Sequence, residues 1–176
     1  MALTEAPSHE TAWGKGAQGE RRVGAMLDKV ATAGLIRVAH DRRIPGSSAN
    51  IDHIAVAPSG VYVIDTKRYQ NKLIESQFRR GPAALHVGGS WKPDMIKRMY
   101  RQVDVVRGIF DVAVQITPVL CFIDANWHLF HKSFDVAGVR VCHPTVLRKW
   151  LKRSGPLTPE GVEDLNRQLL RHLRAA

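Results

Sequence analysis

Apolar residues recur along this chain at two periods, and the changes between them mark its elements. Over residues 15–33, Val23, Leu27 and Val30 repeat at helical spacing together with Glu20, and Gly34 supplies a stop. A short strand is predicted over 35–39, then a basic, Gly/Pro/Ser-rich loop over 41–48. Two β-rich runs, ending at Ala57 and resuming at Val61, flank the turn signal Pro58-Ser59-Gly60 and predict a β-hairpin over 49–70. A polar, basic connection over 69–82 leads to a strand at 83–87, closed by Gly88-Gly89. The second helix spans 93–110, with Met95, Ile96, Met99, Val103, Val106 and Phe110 as its apolar stripe and Gln102 beside it. A strand or strand pair follows over 112–124, centred on a continuous apolar run of the kind buried on both faces, and a short strand covers 139–142. Thr145 caps a helix to Leu151, broken by Ser154-Gly155-Pro156. The last helix starts with Thr158 as cap and Pro159 at its first position, with acids early and Arg171 and Arg174 late, matching the helix dipole. This order predicts an α/β fold, a mixed sheet flanked by helices.

Charges interrupt the apolar faces of the hairpin. By strand alternation, Asp52 shares a face with Ile54 and Val56, while Asp65 and Lys67 share theirs with Val61 and Val63. If Val56 pairs with Val61, Asp52 falls opposite Asp65; a register slipped by two sets it opposite Lys67 instead. Either way three charges converge, and two aspartates on an apolar face need cations to be tolerable. Lys67 supplies one; a divalent ion such as Mg2+, held by carboxylates and water, would supply the other. Such a group suits phosphodiester hydrolysis. The ordinary alternative is a strand-end ion pair worth under about 1 kcal/mol. Glu20 has two readings as well: an early-turn acid favoured by the helix dipole, or a third carboxylate directed at the sheet.

The 176 residues suit a single domain with a proper core, organised as a tail (1–12), a core (13–142) and a helical extension packed on it (143–176). Its 26 Lys and Arg against 16 Asp and Glu give a formal charge of +10, which favours a polyanionic partner, nucleic acid first. Arg42 and Arg43 in the basic loop, Arg68 after the hairpin triplet, and Lys97, Arg98 and Arg101 on the second helix are the expected phosphate contacts. No residue pattern for reading base edges is visible, so binding through the backbone is expected. Residues 1–11 lack a basic start followed by an apolar run, and no window is long and apolar enough to span a bilayer, so a cytoplasmic chain without membrane contact is expected. Cys121 and Cys142 are far apart in the chain and match no paired-thiol or zinc spacing, which suits a reducing compartment.

The stretches Gly16-Ala-Gln-Gly19-Glu20, Asn50-Ile51-Asp52-His53-Ile54 and Pro58-Ser-Gly60-Val-Tyr-Val-Ile-Asp65-Thr-Lys67, in this order, resemble the nuclease-related domain (NERD) family. That family, found largely in bacteria, falls in the PD-(D/E)xK nuclease superfamily, and the resemblance covers about residues 13–124. It implies a restriction-endonuclease-like core and metal-dependent hydrolysis of DNA by an activated water, with Mg2+ or Mn2+ as cofactor. Asp52 and Asp65 would bind the metal, Glu20 would complete the acidic cluster, and Lys67 would serve the attacking water and the scissile phosphate. Gln102 would match the glutamine such nucleases carry on the helix beside the site. The chain departs from the pattern in having Ile51 rather than proline before Asp52, Asp65 where glutamate is frequent, and Asn71 near a usual glycine. A nucleic-acid-binding module without turnover and a protein-interaction adaptor of the same fold are the alternatives. A homodimer would suit a two-fold duplex, though no residue pattern demonstrates one.

Overall fold

The computed structural model describes residues 9–34, 36–78, 81–129 and 131–176. Most of the expected tail, the expected strand start at Leu35, and Arg79 and Arg80 of the basic connection lie outside the described residues. The order is α1 (His9–Thr32), β1 (Arg37–Arg43), β2 (Asn50–Ala57), β3 (Gly60–Arg68), β4 (Leu73–Gln77), β5 (Ala84–Val87), β6 (Ser90–Trp91), α2 (Pro93–Arg107), β7 (Ile116–Ile123), β8 (Asn126–Trp127), β9 (Ser133–Val136), β10 (Val139–Cys142), α3 (Pro144–Leu151) and α4 (Pro159–His172).

Six strands form the main sheet in the order β1-β2-β3-β7-β10-β9, and a small sheet runs β6-β5-β4-β8. The main sheet is mixed: β1, β2 and β3 are antiparallel neighbours, whereas β3 with β7 and β7 with β10 are parallel. Helices cover both faces, so β3 and β7 read as near-continuous apolar runs. On one face Val23, Leu27 and Val30 of α1 and Leu147 and Leu151 of α3 pack with Ala55, Ile64 and Val119. On the other, Met99, Val103 and Val106 of α2 and Val162, Leu165 and Leu169 of α4 pack with Val56, Val63, Leu120 and Phe122.

This topology gathers the charged residues at one end of the sheet. The β3 and β7 strands finish together there, with Arg68 paired to Ile123, and antiparallel β2 begins there. The helix α2 precedes β7, so its first turns lie at the same end. Gly19 of α1 sits against Arg68 and Ile123, where a Cβ would be 3.1 and 3.3 Å from their side chains, placing Glu20 there too.

Several boundaries differ from the sequence-based expectation. The strand β1 continues through Asp41–Arg43, where a loop was expected, because both of its edges are paired. Arg42 and Arg43 pair with Ile51 and Asn50, while the C-terminal tail closes the outer edge through Arg43 N–H to Arg174 O (3.0 Å) and Ala176 N–H to Asp41 O (3.0 Å). The expected polar connection contains β4, whose pairing with β5 holds a run in which only Ile74 is buried. The region 112–124 resolves into the single strand β7, and α2 ends at Arg107, before Phe110. The cap of α3 is His143, whose Nδ1 accepts the Thr145 N–H (3.2 Å), not Thr145 itself. Thr158 caps α4 through the Gly161 N–H at 3.1 Å, as its sequence indicates.

Candidate active site

The hairpin turns as its sequence requires. Gly60 has φ +126°, and a Cβ there would lie 2.6 Å from Gln115 O, so glycine alone fits. Val56 pairs with Val61 and His53 with Ile64, the first of the two registers, so Asp52 stands opposite Asp65 at the end of the ladder. Strict alternation, which would set Asp52 beside Ile54 and Val56, breaks at this point: Ile51 and Ile54, three residues apart, belong to the same apolar cluster. Across from this break Asp41 of β1 has φ +49°. Freed from the pleat, the Asp52 carboxylate turns toward β3, where Oδ2 accepts the Thr66 backbone N–H at 2.7 Å.

Thr66 is the residue between Asp65 and Lys67, so that one bond ties the two strands' acidic groups together. Lys67 Nζ lies 2.6 Å from Asp65 Oδ2. Burial and the Asp65 charge push the Asp52 carboxyl up from 3.8 to about 7, against the opposing pull of Lys67 and the Thr66 N–H. Two carboxylates and one ammonium leave this end of the sheet short of positive charge.

Glu20 lines a cavity of about 390 Å3 with Asp41 and Asp52. Burial raises its carboxyl, with Lys67 opposing and Asp41 and Asp65 adding to the rise. Among the described residues no group of three or more His, Cys, Asp or Glu is placed to hold a metal ion. Glu20 is exposed and stands at the rim of the cavity, within the field of Lys67 and Asp65. Gln102 is buried on the sheet-facing side of α2, and its Oε1 has no partner among the described residues.

The same cavity exposes a chain that the linear pattern does not reveal. His40 Nε2 donates to Asp28 Oδ1 (2.8 Å), and His40 Nδ1 lies 2.8 Å from His53 Nδ1. Burial and the adjacent His40 lower the His53 imidazole to about 3, so it stays neutral. The chain links α1, β1 and β2 immediately beside Asp52. Its only sequence trace was His53 within Asn50-Ile-Asp-His-Ile, because helical and strand periods do not relate Asp28 to His40.

The basic residues divide into two kinds. Arg68, expected among the phosphate contacts, is committed within the fold: its Nε donates to Asp124 Oδ2 (2.7 Å) and its Nη1 to Gln18 Oε1 (2.6 Å). Asp124 also takes Arg22 at 2.8 Å, and the Arg68 hydrogen bond, ahead of Arg22, holds its carboxyl below the ordinary range. With φ +61°, Asp124 is a turn residue bound to two arginines. Arg42 is half-buried, with a buried Nε lacking a partner among the described residues. Arg43, Lys97, Arg98 and Arg101 are exposed; Lys97 meets Asp94 only loosely, at 3.9 Å, and Arg98 reaches the Asp94 carbonyl at 3.3 Å.

The model of the nuclease-related domain family, NERD, matches residues 15–123. The chain belongs to the NERD family. The matched stretch runs from α1 to the last residue of β7 and holds Glu20, Asp52, Asp65, Lys67 and Gln102. No curated protein and no solved structure matches the chain. Outside the NERD match lie α3, α4 and the tail that pairs with β1.

The donor set of this NERD domain fits a hard divalent cation. Asp52 and Asp65 each engage one carboxylate oxygen, with Thr66 N–H and Lys67 respectively, and keep the other. Two such oxygens, completed by water, match the preference of Mg2+, and a cation there would relieve the repulsion that raises Asp52.

Proposed function

We propose that this NERD protein is a Mg2+-dependent nuclease that hydrolyses phosphodiester bonds of DNA, with water as nucleophile. The observation that carries the reading is the joining of Asp52, Asp65 and Lys67 through the Thr66 peptide at one open end of the sheet. When bound, Mg2+, or Mn2+ in its place, would lower the pKa of a bound water and offset charge on the phosphate. Asp52 and Asp65 would hold the ion. Lys67, about a quarter exposed, keeps one face open and can donate to a phosphate oxygen while Asp65 fixes its position. Glu20, at the rim, can accept a proton from water entering the cavity. Gln102 supplies a buried amide behind the site, and Arg43, Arg98 and Arg101 offset the repulsion between an acidic site and a polyanion.

Residue environment also favours a reducing, cytoplasmic setting. Cys121 and Cys142 are register partners on β7 and β10, yet both are free and buried, and burial pushes the Cys142 thiol up. No helix among the described residues is long and apolar enough to cross a membrane. A homodimer would bring one site to each strand of a duplex. A second reading, a DNA-binding module without turnover, gains from the absence of a three-ligand metal group among the described residues.

Incubation with supercoiled plasmid and with single-stranded DNA, with Mg2+, Mn2+ or EDTA, tests the proposal. Metal-dependent cleavage is expected, falling by about 100-fold or more in Lys67→Ala, as for other lost electrostatic donors. Binding without cleavage under every metal selects the second reading, and cleavage unchanged in Lys67→Ala overturns the first.

A further inference from the structure

A second feature lies where the small sheet, α2 and the turn between β9 and β10 meet. Between the small sheet and the first turns of α2 runs a groove of about 570 Å3, within the range of roughly 300–1,000 Å3 usual for ligand sites. Ile96, Val136 and Pro82 line it, Trp91 and Tyr100 stand along it, and Lys97 lies at its rim. Trp91 is 64% exposed and Tyr100 43%, so both rings present a face to solvent. Tyr100 is nonetheless fixed, because its hydroxyl donates to the Ala137 carbonyl in the turn between β9 and β10. Trp91 is set by the β5–β6 hairpin, opposite His86. Lys97, which lines the groove, and Arg101, one helical turn further along α2, place positive charge to one side of Tyr100.

We propose that this groove takes unpaired bases of a nucleic acid strand, stacked on Trp91 and Tyr100, with the adjoining phosphates on Lys97 and Arg101. The inference rests on the nuclease reading and deepens it, naming DNA with a single-stranded segment as the substrate class. Interleaved aromatic and basic side chains are the surface that single strands recognise, since every base offers a π-face and every nucleotide a phosphate. An apolar peptide would leave the cations unused, and a second copy would bring a chain of formal charge +10 against its like. In a base-paired duplex the π-faces are stacked internally, so the groove discriminates between paired and unpaired strands.

The test measures anisotropy of fluorescein-labelled oligothymidylate and of a labelled duplex in EDTA, using full-length Lys67→Ala protein so that no cleavage occurs. Added substitutions are Trp91→Leu, which keeps an apolar side chain but loses the ring, Tyr100→Ala, and Tyr100→Phe, which keeps the ring. The oligothymidylate affinity is expected to fall by about 5- to 150-fold for each stacking ring removed, with duplex affinity unchanged and Tyr100→Phe near the parent. Equal oligothymidylate affinity in Trp91→Leu and Tyr100→Ala overturns the groove assignment while leaving the nuclease reading intact. Failure of the parent to bind either nucleic acid overturns both. A dimer in sedimentation that Trp91→Leu abolishes, without change in oligothymidylate affinity, assigns the groove to a second copy and overturns the proposal.

Discussion

Asp52 Oδ2 accepts the backbone N–H of Thr66 at 2.7 Å, so the carboxylate of one strand is pinned to the peptide between Asp65 and Lys67 on the next. The bond holds a charge where burial and Asp65 both oppose it. The rise from 3.8 to about 7 corresponds to roughly 4 kcal/mol at most. Water and reorganisation reduce that figure, so Asp52→Asn is expected to stabilise the metal-free protein at pH 8 by about 1–2 kcal/mol. The amide oxygen can still accept the Thr66 N–H. Millimolar Mg2+ is expected to raise the thermal midpoint of the parent and not that of this variant. Calorimetry with EDTA and with Mg2+ checks both; a variant less stable than the parent in EDTA contradicts the strain, and an unchanged Mg2+ response contradicts the metal assignment.

Two neighbouring residues give stability slopes of opposite sign with pH. Between about pH 4 and 7 native Asp52 holds a proton that the unfolded chain has released, so its contribution to stability falls as pH rises. Between about pH 3 and 6.5 the unfolded chain holds a proton that native His53 lacks, so its contribution rises with pH and is lost on acidification. Each slope is at most about 1.4 kcal/mol per pH unit, and over their common window they offset. Asp52→Asn should unmask the His53 slope. Urea unfolding at a series of pH values should show the variant's advantage near zero at about pH 4, growing up to about pH 7 and then level; an advantage independent of pH rules this out.

Gly155 anchors the C-terminal helices to the hairpin that carries the acidic pair. A Cβ at this position would lie 2.3 Å from Pro58 O and 2.4 Å from Ser59 Cα, and Leu157 N–H donates to Pro58 O at 3.0 Å. The obstructing atoms are backbone and cannot swing aside. Gly155→Ala is expected to cost about 1–3 kcal/mol, as overpacked sites do. A midpoint in urea equal to the parent's would mean that the segment between α3 and α4 does not dock on the turn in solution.

The hairpin was legible because burial on both faces leaves a long apolar run, and because a glycine turn admits few registers. Once Val56 met Val61, the opposition of Asp52 and Asp65 followed. Alternation misplaced Asp52 because Asp41, in the left-handed region, and the end of the ladder interrupt the pleat. The polar half of β1 left no trace, since its outer partners, Arg174 to Ala176, come from the far end of the chain. Long-range polar pairing is silent in the same way. Arg68 looked like a free cation because Asp124, its partner, belongs to a turn beyond the next long helix.

That pairing separates two kinds of arginine experimentally. Arg43 and Arg101 are exposed, and an arginine that neutralises one duplex phosphate contributes about 0.9 to the slope of log affinity against log salt. Arg43→Ala and Arg101→Ala should each reduce that slope by about 1 and leave the melting temperature nearly unchanged. Arg68→Ala should do the reverse. Losing it strips Asp124 of its shortest ion pair and frees Gln18, so the melting temperature falls while the salt slope stays at the parent value. The pair is partly exposed, so the expected cost is modest, about 1 kcal/mol or somewhat more. Titrations of a labelled duplex at increasing salt, beside thermal melts of the same samples, distinguish the two; a slope lowered in Arg68→Ala with unaltered melting would mean that its guanidinium leaves Asp124 for phosphate.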